Sequence, residues 1–495
     1  MGFRRSRKRK IATAAAVLVV LAVGVGGLAW WALLREVPQR LADDSMEERF
    51  KYGSIGTEQA AGIPYWIWLV LPTMFPEHLP AAGGYAALGF PWERGREMPV
   101  GFTRKTIGFD RVGINCATCH VTSVRREGEA APRLLLAGPG NTQDLLSYQR
   151  FLFACASDPR FTPGNVLAAI GRITELPVHQ RLLYRWLLIP QTRKALLAQK
   201  EQFAWTDSRP DWGRGRIDPF NPVKVALLKL DPGDTIGNSD MEALWNLRPR
   251  VEGGMAFHWD GLQGNVHEVV LSSALGDGAT ARSLPRADLD GLQEWLMDLP
   301  PPRYDALFPV DAGLAAAGAP VFRQHCAACH AFGGAETGKV LPLTEEAWRV
   351  PGVEHPGPWF TDPHRARMWT QEAADTYNRQ DYAPSTPFRH FRAPGGYVNV
   401  PLDGIWARAP YLHNGSVPYL DELLEVPERR TPLFWRGYDL YDPQRVGFVA
   451  SGPGAERAGS RFDVREPGNS NQGHLWGVNL PAEDKRALVE FLKTL

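Results

Sequence analysis

Apolar and polar positions along the chain predict helices of different kinds. Residues 11–34 form an uncharged, mostly apolar run that as a helix would be about 36 Å long, enough to cross a bilayer core of about 30 Å. Helical periodicity recurs in residues 145–155, 166–173 and 180–203, whereas residues 207–240 are rich in Gly, Pro and Asp. The pattern predicts a mainly α chain with extensive loops, behind one N-terminal transmembrane helix.

The second half of the chain contains two further predicted helices. Residues 312–325 form a helix that leads directly into a cysteine motif. Residues 481–495 have an acidic first turn and carry Leu488, Phe491 and Leu492 on one face.

The residues around the apolar run predict its orientation. Basic residues precede the run and Trp30 and Trp31 stand near its far end, so the positive-inside rule predicts a cytoplasmic tail at 1–10, an anchor at 11–34 and a linker at 35–50. The body would then lie in the periplasm, on the outer face of a bacterial inner membrane. A cleaved signal peptide is the alternative, although the run is longer than a usual signal core. The basic residues are Arg4, Arg5, Arg7, Lys8, Arg9 and Lys10.

A second apolar stretch, residues 63–75, is too short to span a bilayer and is broken by Pro64 and Pro72. One interpretation is buried core. The alternatives are a lid over a flat apolar cofactor and a patch that rests on a membrane surface.

Composition excludes several classes of protein. The chain has 495 residues, a formal charge of +1 and 44% hydrophobic residues, which excludes general disorder and argues against a nucleic-acid clamp. The 49 Gly and 41 Pro residues favour loops over long regular elements. Five cysteines are too few for a disulfide scaffold of this length, so their spacing is the informative feature.

Four of the five cysteines form two Cys-X-X-Cys-His motifs. One contains Cys116, Cys119 and His120, and the other contains Cys326, Cys329 and His330. Two thiols on one helical turn reach the two vinyl groups of a haem, and the adjacent imidazole binds the iron. A disulfide, a thioredoxin-like pair or half a zinc site would not require a His after each pair. The motifs therefore predict two covalently bound c-type haems. The fifth cysteine, Cys155, lies in an apolar context and is interpreted as a buried, inert thiol.

The two motifs are 210 positions apart, which is more than one small cytochrome domain spans. We therefore expect an N-terminal haem c domain with a helical insertion at 51–300 and a C-terminal cytochrome c domain at 301–495. The Pro-rich stretch 299–303 forms the predicted boundary.

A haem that only transfers electrons has two protein ligands, whereas a reactive haem keeps one position free. His474, in a glycine-flanked loop before the last helix, is the predicted sixth ligand of the second iron. For the first iron the downstream candidates are His258 and His267, each able to ligate or to line a pocket. We expect the first iron to have an open or water-filled sixth position.

The segments Phe257-His-Trp-Asp-Gly and Arg408-Ala-Pro-Tyr-Leu-His-Asn-Gly, together with both motifs, resemble the bacterial di-haem cytochrome c peroxidase superfamily. Ser272-Ser-Ala-Leu-Gly and the late Gly473-His474 are most similar to the rubber-oxygenase branch. The likeness covers roughly residues 50–495.

The resemblance implies roles for further residues. Trp259 would lie between the haems as an electron relay, and His413 would lie near the second haem without binding its iron. A calcium ion would be held by the Asn246 side chain and by the carbonyls of Arg408 and Pro410, since oxygen ligands suit calcium.

Two departures from the superfamily bear on function. Residues 420–427 contain no Met ligand, and His474 takes its place as in the oxygenase branch. The polar His258 before Trp259, and a membrane tether, count against cleavage of insoluble rubber.

Three hypotheses remain. They are a peroxidase-like oxidoreductase with His258 as acid or base, a haem oxygenase on an apolar substrate, and a carrier with both irons closed. Each implies a small redox protein or a quinol-linked donor as partner, and no nucleic acid.

Overall fold

The computed structural model describes residues 2–354, 360–383 and 385–495, and the side chains of residues 2–11, 25, 28 and 29 lie outside that description. Within it the chain is mainly helical with small sheets. The α-helices are α1 (Gly2–Leu33), α2 (Met46–Tyr52), α3 (Tyr65–Met74), α4 (Leu145–Ser157), α5 (Pro163–Gly171), α6 (Val178–Leu183), α7 (Ile189–Gln202), α8 (Asn221–Val223), α9 (Arg248–Glu252), α10 (Val266–Gly276), α11 (Arg286–Asp298), α12 (Ala312–His325), α13 (Ala327–His330), α14 (Glu345–Trp348), α15 (His364–Met368), α16 (Gln371–Tyr377), α17 (Leu420–Leu423), α18 (Gly452–Ala458) and α19 (Ala482–Leu492).

The strands are short and antiparallel. They are β1 (Glu36–Val37), β2 (Ile63–Pro64), β3 (Phe102–Ile107), β4 (Phe109–Ile114), β5 (Val121–Val124), β6 (Arg133–Leu136), β7 (Arg216–Ile217), β8 (Ser239–Asp240), β9 (Val340–Pro342), β10 (Asp381–Ala383), β11 (Thr386–Pro387), β12 (Gly396–Val398), β13 (Leu433–Arg436), β14 (Tyr441–Asp442), β15 (Gly447–Phe448) and β16 (Ser460–Asp463). One four-stranded sheet has the order β1-β3-β4-β2, with Phe102 opposite Ile114. The other sheets pair two strands each, among them β9 with β12 and β13 with β16.

The predicted fold class is wrong in one respect, the transmembrane helix over residues 11–34. No helix in the described ranges is long and apolar enough to cross a membrane. The last turn of α1 instead packs on the body of the protein, where the Leu33 carbonyl accepts a hydrogen bond from Arg111 (3.2 Å) and the Trp31 ring lies 5.9 Å from the His179 ring. The side chains of the basic residues 4–10 lie outside the described part of the chain.

Helix α3 shows why residues 63–75 are apolar. Tyr65, Ile67, Trp68, Val70 and Leu71 are buried in a core that α4, α5 and α7 complete. The buried-core interpretation is therefore confirmed. Cys155, on α4, is fully buried in the same core, and burial raises the pKa of its thiol, as expected for an inert cysteine.

Helix α12 has the predicted bounds, and it packs against α19. Gly318 permits this contact, because a Cβ at that position would lie 1.9 Å from the Ala487 carbonyl oxygen. The two helices thus hold the cysteine motif that follows α12 against the end of the chain.

The N-terminal and C-terminal parts are bonded to each other at several points. Arg125 forms an ion pair with Asp439 (2.8 Å), and its backbone N–H donates to the Asp439 carbonyl. The boundary near residue 300 stays a prediction.

Candidate haem sites

The first cysteine motif is folded as a single helical turn. The turn Cys116–Thr118 is capped by Asn115, whose side-chain oxygen accepts from the Ala117 N–H (3.0 Å). The His120 N–H donates to the Cys116 carbonyl (3.0 Å), which continues the turn. Burial, followed by the charge of Asp277, raises the pKa of Cys116 to about 12, so the thiol is not a thiolate nucleophile.

A cavity of about 310 Å³ lies against this motif, and Cys116, Cys119 and His120 line it. Most of its other walls are apolar, which suits the faces of a porphyrin. The apolar residues include Phe50, Phe220, Val223, Val269, Leu289, Leu292 and Leu296.

The orientation of His120 leaves one nitrogen for an iron. Its Nδ1 lies 2.7 Å from the backbone carbonyl oxygen of Glu242, so Nδ1 carries the proton and Nε2 is the free nitrogen. Burial lowers the pKa of His120, which keeps the ring neutral. A neutral imidazole with a fixed tautomer is the form that binds iron, so the residues present fit a c-type haem.

The second motif repeats this arrangement. Cys326 ends α12, and α13 carries Cys329 and His330. The Nδ1 of His330 lies 2.7 Å from the Val400 carbonyl oxygen, and burial lowers the pKa of the ring. The same tautomer is therefore fixed at both motifs by an unrelated stretch of backbone.

His474 lies opposite His330. The two ring centroids are 6.1 Å apart, with an interplanar angle of 36°. Two imidazole nitrogens each about 2 Å from one metal ion would place their ring centroids about 6 Å apart. The Nδ1 of His474 is buried and has no partner among the described residues, and burial lowers the pKa of this ring to about 3. The pair thus fits a haem iron with two histidine ligands.

Arg430 fixes the loop that carries His474. The guanidinium is 2% exposed and donates to the carbonyls of Asn471, Gly473 (2.7 Å) and His474 (2.9 Å). His474 itself has a left-handed backbone conformation, with φ of +58°. A rarely adopted conformation persists where the surroundings over-determine it, and Arg430 supplies that constraint.

His258 lines the first cavity but is tied to the segment that orients His120. Its Nδ1 lies 3.6 Å from the Glu242 carboxylate, while its Nε2 is buried with no partner among the described residues. His258 also has a positive φ, +65°. His267 lies elsewhere, with its side chain 43% exposed and its Nδ1 3.3 Å from the Gln293 amide oxygen.

Trp259 is hydrogen-bonded to the segments that hold both motif histidines. Its indole N–H donates to the Asp240 carbonyl (2.8 Å), two residues before Glu242. Its own carbonyl accepts from the Val398 N–H (2.9 Å), two residues before Val400. The residue is therefore hydrogen-bonded to a segment of each candidate site, and its role as a relay stays a prediction.

Two of the three residues predicted to hold calcium, Asn246 and Arg408, meet at an unpredicted carboxylate, that of Asp403. The Asn246 amide donates to Asp403 (3.3 Å), and the guanidiniums of Arg408 (2.8 Å) and Arg250 (2.7 Å) form ion pairs with it. The calcium ion, with the Asn246 side chain and the carbonyls of Arg408 and Pro410 as ligands, stays a prediction.

His413 is buried, and its ring stacks on Tyr397 at 3.9 Å.

The sequence did not reveal the residues that orient the histidines. Glu242 and Val400 act through backbone carbonyls, which any residue type supplies, so no pattern marks them. Arg430 and Arg365 could have been suspected only as arginines in segments that are otherwise well packed, which is a weak signal.

Comparison with known proteins agrees with a haem site. A family described as RoxA-like, cytochrome c-like matches residues 396–436, the segment that contains Val400, Arg408, His413 and Arg430. The chain is 42% identical over 113 residues to the uncharacterized protein y4iJ of Sinorhizobium fredii, over 21% of this chain and 18% of that protein. It is 27% identical over 310 residues to the uncharacterized protein y4iM of the same organism, over 54% of this chain and 66% of that protein.

The chain thus spans less than two thirds of the length of either relative, and neither name assigns an activity. The matched cytochrome c-like domain suggests haem binding and implies a c-type haem. It leaves the number of haems open.

Proposed function

We propose that the chain is a di-haem c-type cytochrome in which the second haem accepts electrons and passes them to a reactive first haem. The observation that carries the proposal is an asymmetry between two otherwise matching sites. Both motif histidines are held by a backbone carbonyl, but among the described residues only His330 has a second imidazole, His474, at a distance that one iron would fill. A closed iron suits electron transfer, and an iron with a free position suits a reaction.

Peroxide is the substrate that we propose for the first site. Bound haem supplies the iron chemistry, and two electrons and two protons convert hydrogen peroxide to two molecules of water. The chain orients His120 through the Glu242 carbonyl and excludes water with the apolar cavity wall. His258, with its unpartnered Nε2 at the cavity, is the residue that would give or take a proton.

Trp259 is the proposed relay between the sites, because hydrogen bonds join it to the segments of both Glu242 and Val400. The electrons would come from a small redox protein or a quinol-linked donor. Because c-type haem is normally attached outside the cytoplasm, we place the body of the protein in the periplasm. Donor and compartment are parts of this proposal.

The apolar cavity wall favours a second candidate, an oxygenase that acts on an apolar substrate at the same iron. This candidate predicts oxygen uptake and carbonyl products, and it fails if no lipid or terpenoid stimulates uptake. The third candidate, a carrier with both irons closed, predicts two low-spin haems and no response to peroxide.

The proposal is tested on holoprotein produced together with the c-type haem attachment machinery. Mass spectrometry should show two haems, and the paramagnetic resonance spectrum should contain one low-spin and one high-spin centre. Peroxide should oxidise the reduced protein within the mixing time of a stopped-flow instrument. A protein with fewer than two haems, or one whose reduced form ignores peroxide, contradicts the proposal.

Two histidine variants assign the centres. His474→Ala should convert the low-spin centre to high spin, and added imidazole should restore it. His267→Ala is the matched control, because its exposed ring should leave the spectrum unchanged. A low-spin signal that survives His474→Ala would show that the second iron is closed by another residue.

A further inference from the structure

Three arginines line the cavity of the first haem site and keep donors without partners. They are Arg250, Arg365 and Arg408, and the Nε of each is buried with no hydrogen-bond partner among the described residues. A buried guanidinium that lacks partners is costly, because its lost hydration is not replaced. These donors therefore indicate an anion that completes the site.

Arg365 is the clearest case. It is 2% exposed, and its Nη2 donates to the Asp260 carboxylate at 3.2 Å. Both Nε and Nη1 are unpartnered. The guanidinium lies over the Phe220 ring at 4.9 Å, which fixes its plane beside the cavity. The two free donors lie on different edges of the guanidinium, and each can give a charge-assisted hydrogen bond to an anion such as a carboxylate.

Arg250 and Arg408 provide a second, separate place for an anion. Both bind the same carboxylate, Asp403, at 2.7 and 2.8 Å, so two positive charges share one negative charge. Their Nε donors remain free, and both side chains are about nine-tenths buried. Arg250, Arg408 and Asp403 together carry a net charge of +1, and the Glu242 carboxylate of the same cavity also interacts with Arg408.

The thiols of the motif lie in a different environment. Cys116 and Cys119 interact with the charge of Asp277, whereas the arginines lie with Asp260 and Asp403. A porphyrin bonded to two thiols through its vinyl groups carries its two propionates on another edge. Two carboxylates on one edge correspond to the two places that the arginines provide.

We propose that Arg365, and Arg250 together with Arg408, bind the two propionate carboxylates of the haem attached at Cys116 and Cys119. This inference rests on the proposed attachment of haem at that motif. The three arginines would then prevent the porphyrin from rotating in its own plane, because thioether bonds hold one edge and ion pairs hold another.

A carboxylate could also reach these arginines as part of a free substrate, so the test separates the two sources. If the propionates occupy the arginines, added acetate or benzoate leaves the spectrum of the first haem unchanged. If the arginines are free, either anion shifts the spectrum of the unaltered protein and has no effect on Arg365→Met. The second result would overturn the inference.

The direct test compares holoprotein variants. Arg365→Met removes the charge at similar length, and Arg365→Lys keeps the charge but loses the planar guanidinium. Arg303→Met is the control, because Arg303 is exposed and pairs with the exposed Asp305. An uncompensated propionate stabilises the ferric state, so Arg365→Met should lower the reduction potential of the first haem. We expect a tenfold shift in its reduction equilibrium, about 59 mV for one electron.

A second readout protects the test against a variant that folds poorly. The propionate bending band in the resonance Raman spectrum should shift in Arg365→Met and, by less, in Arg365→Lys, and it should not shift in Arg303→Met. Unchanged potentials and bands in haem-loaded Arg365→Met would overturn the inference and leave the proposed function intact. Absence of covalent haem in the unaltered protein would instead contradict the proposed function.

Discussion

Replacement of Arg430 by Met is expected to loosen His474, the proposed sixth ligand of the proposed second haem, without altering that residue. Arg430 donates to five backbone carbonyls, and three of them belong to the loop of His474. Methionine fills much of the same volume but donates nothing, so these buried carbonyls lose their partner.

The size of the effect follows from the burial of the network. A buried acceptor left without its donor costs about 1–3 kcal/mol, so the loss of several donors places the effect at the upper end, about 3 kcal/mol, or roughly a hundredfold change in an equilibrium. We therefore expect the free energy of unfolding to fall by about 3 kcal/mol. The loop should detach far more often, so that a high-spin signal appears at the second haem and grows on warming.

The assay combines urea denaturation with paramagnetic resonance spectra of the holoprotein. Arg429→Met is the matched control, because the neighbouring side chain is 75% exposed and makes one 3.4 Å contact with Glu425. Imidazole should restore the low-spin signal of Arg430→Met. If Arg430→Met and Arg429→Met have the same stability and the same low-spin signal, the positioning role of Arg430 is refuted.

Three further outcomes are expected. Trp259→Phe should slow electron exchange between the two proposed haems, which flash photolysis measures. It should also lower the free energy of unfolding by about 1 kcal/mol in urea denaturation, because the indole hydrogen bond is lost. Gly318→Ala should lower the free energy of unfolding by about 2–3 kcal/mol, because its Cβ would collide with the Ala487 carbonyl. Gly313→Ala is the control in the same denaturation assay, because its Cβ has room and should not destabilise the fold. Burial lowers the pKa of His413 to about 4, so on acidification the unfolded chain binds a proton at this position before the folded chain does. Between pH 7 and pH 4 the free energy of unfolding should therefore fall by about 3 kcal/mol more in the unaltered protein than in His413→Phe. Above pH 7 the free energies of unfolding of the two proteins should depend on pH in the same way.

The parts of the fold that local chemistry determines could be predicted from sequence. The spacing of Cys116, Cys119 and His120 allows only one helical turn, and the turn is present. The bounds of α12 follow from its capping Asp311 and its apolar periodicity. Cys155 is buried because it follows the apolar run 151–154 on α4.

Features that depend on distant segments could not be predicted. The partner carbonyls of His120 and His330 come from residues 122 and 70 positions away along the chain. Hydropathy alone predicts a membrane span at the end of α1, because it contains no information on the contact between Leu33 and Arg111. Arg430 reaches the loop of His474 across 44 positions, so neither residue marks the other in the sequence.

Because the two motif histidines bond to backbone carbonyls, substitutions of the residues that supply these carbonyls preserve the orientation of the proposed iron ligands. Substitution of the Glu242 or Val400 side chain leaves the carbonyl in place, so the tautomer of each imidazole is inherited with the fold rather than with a residue type. A neutral carbonyl also gives the ring less anionic character than a carboxylate would. Selection on this scaffold would therefore tune the iron through nearby charge and solvent access, and hardly at all through ligand basicity.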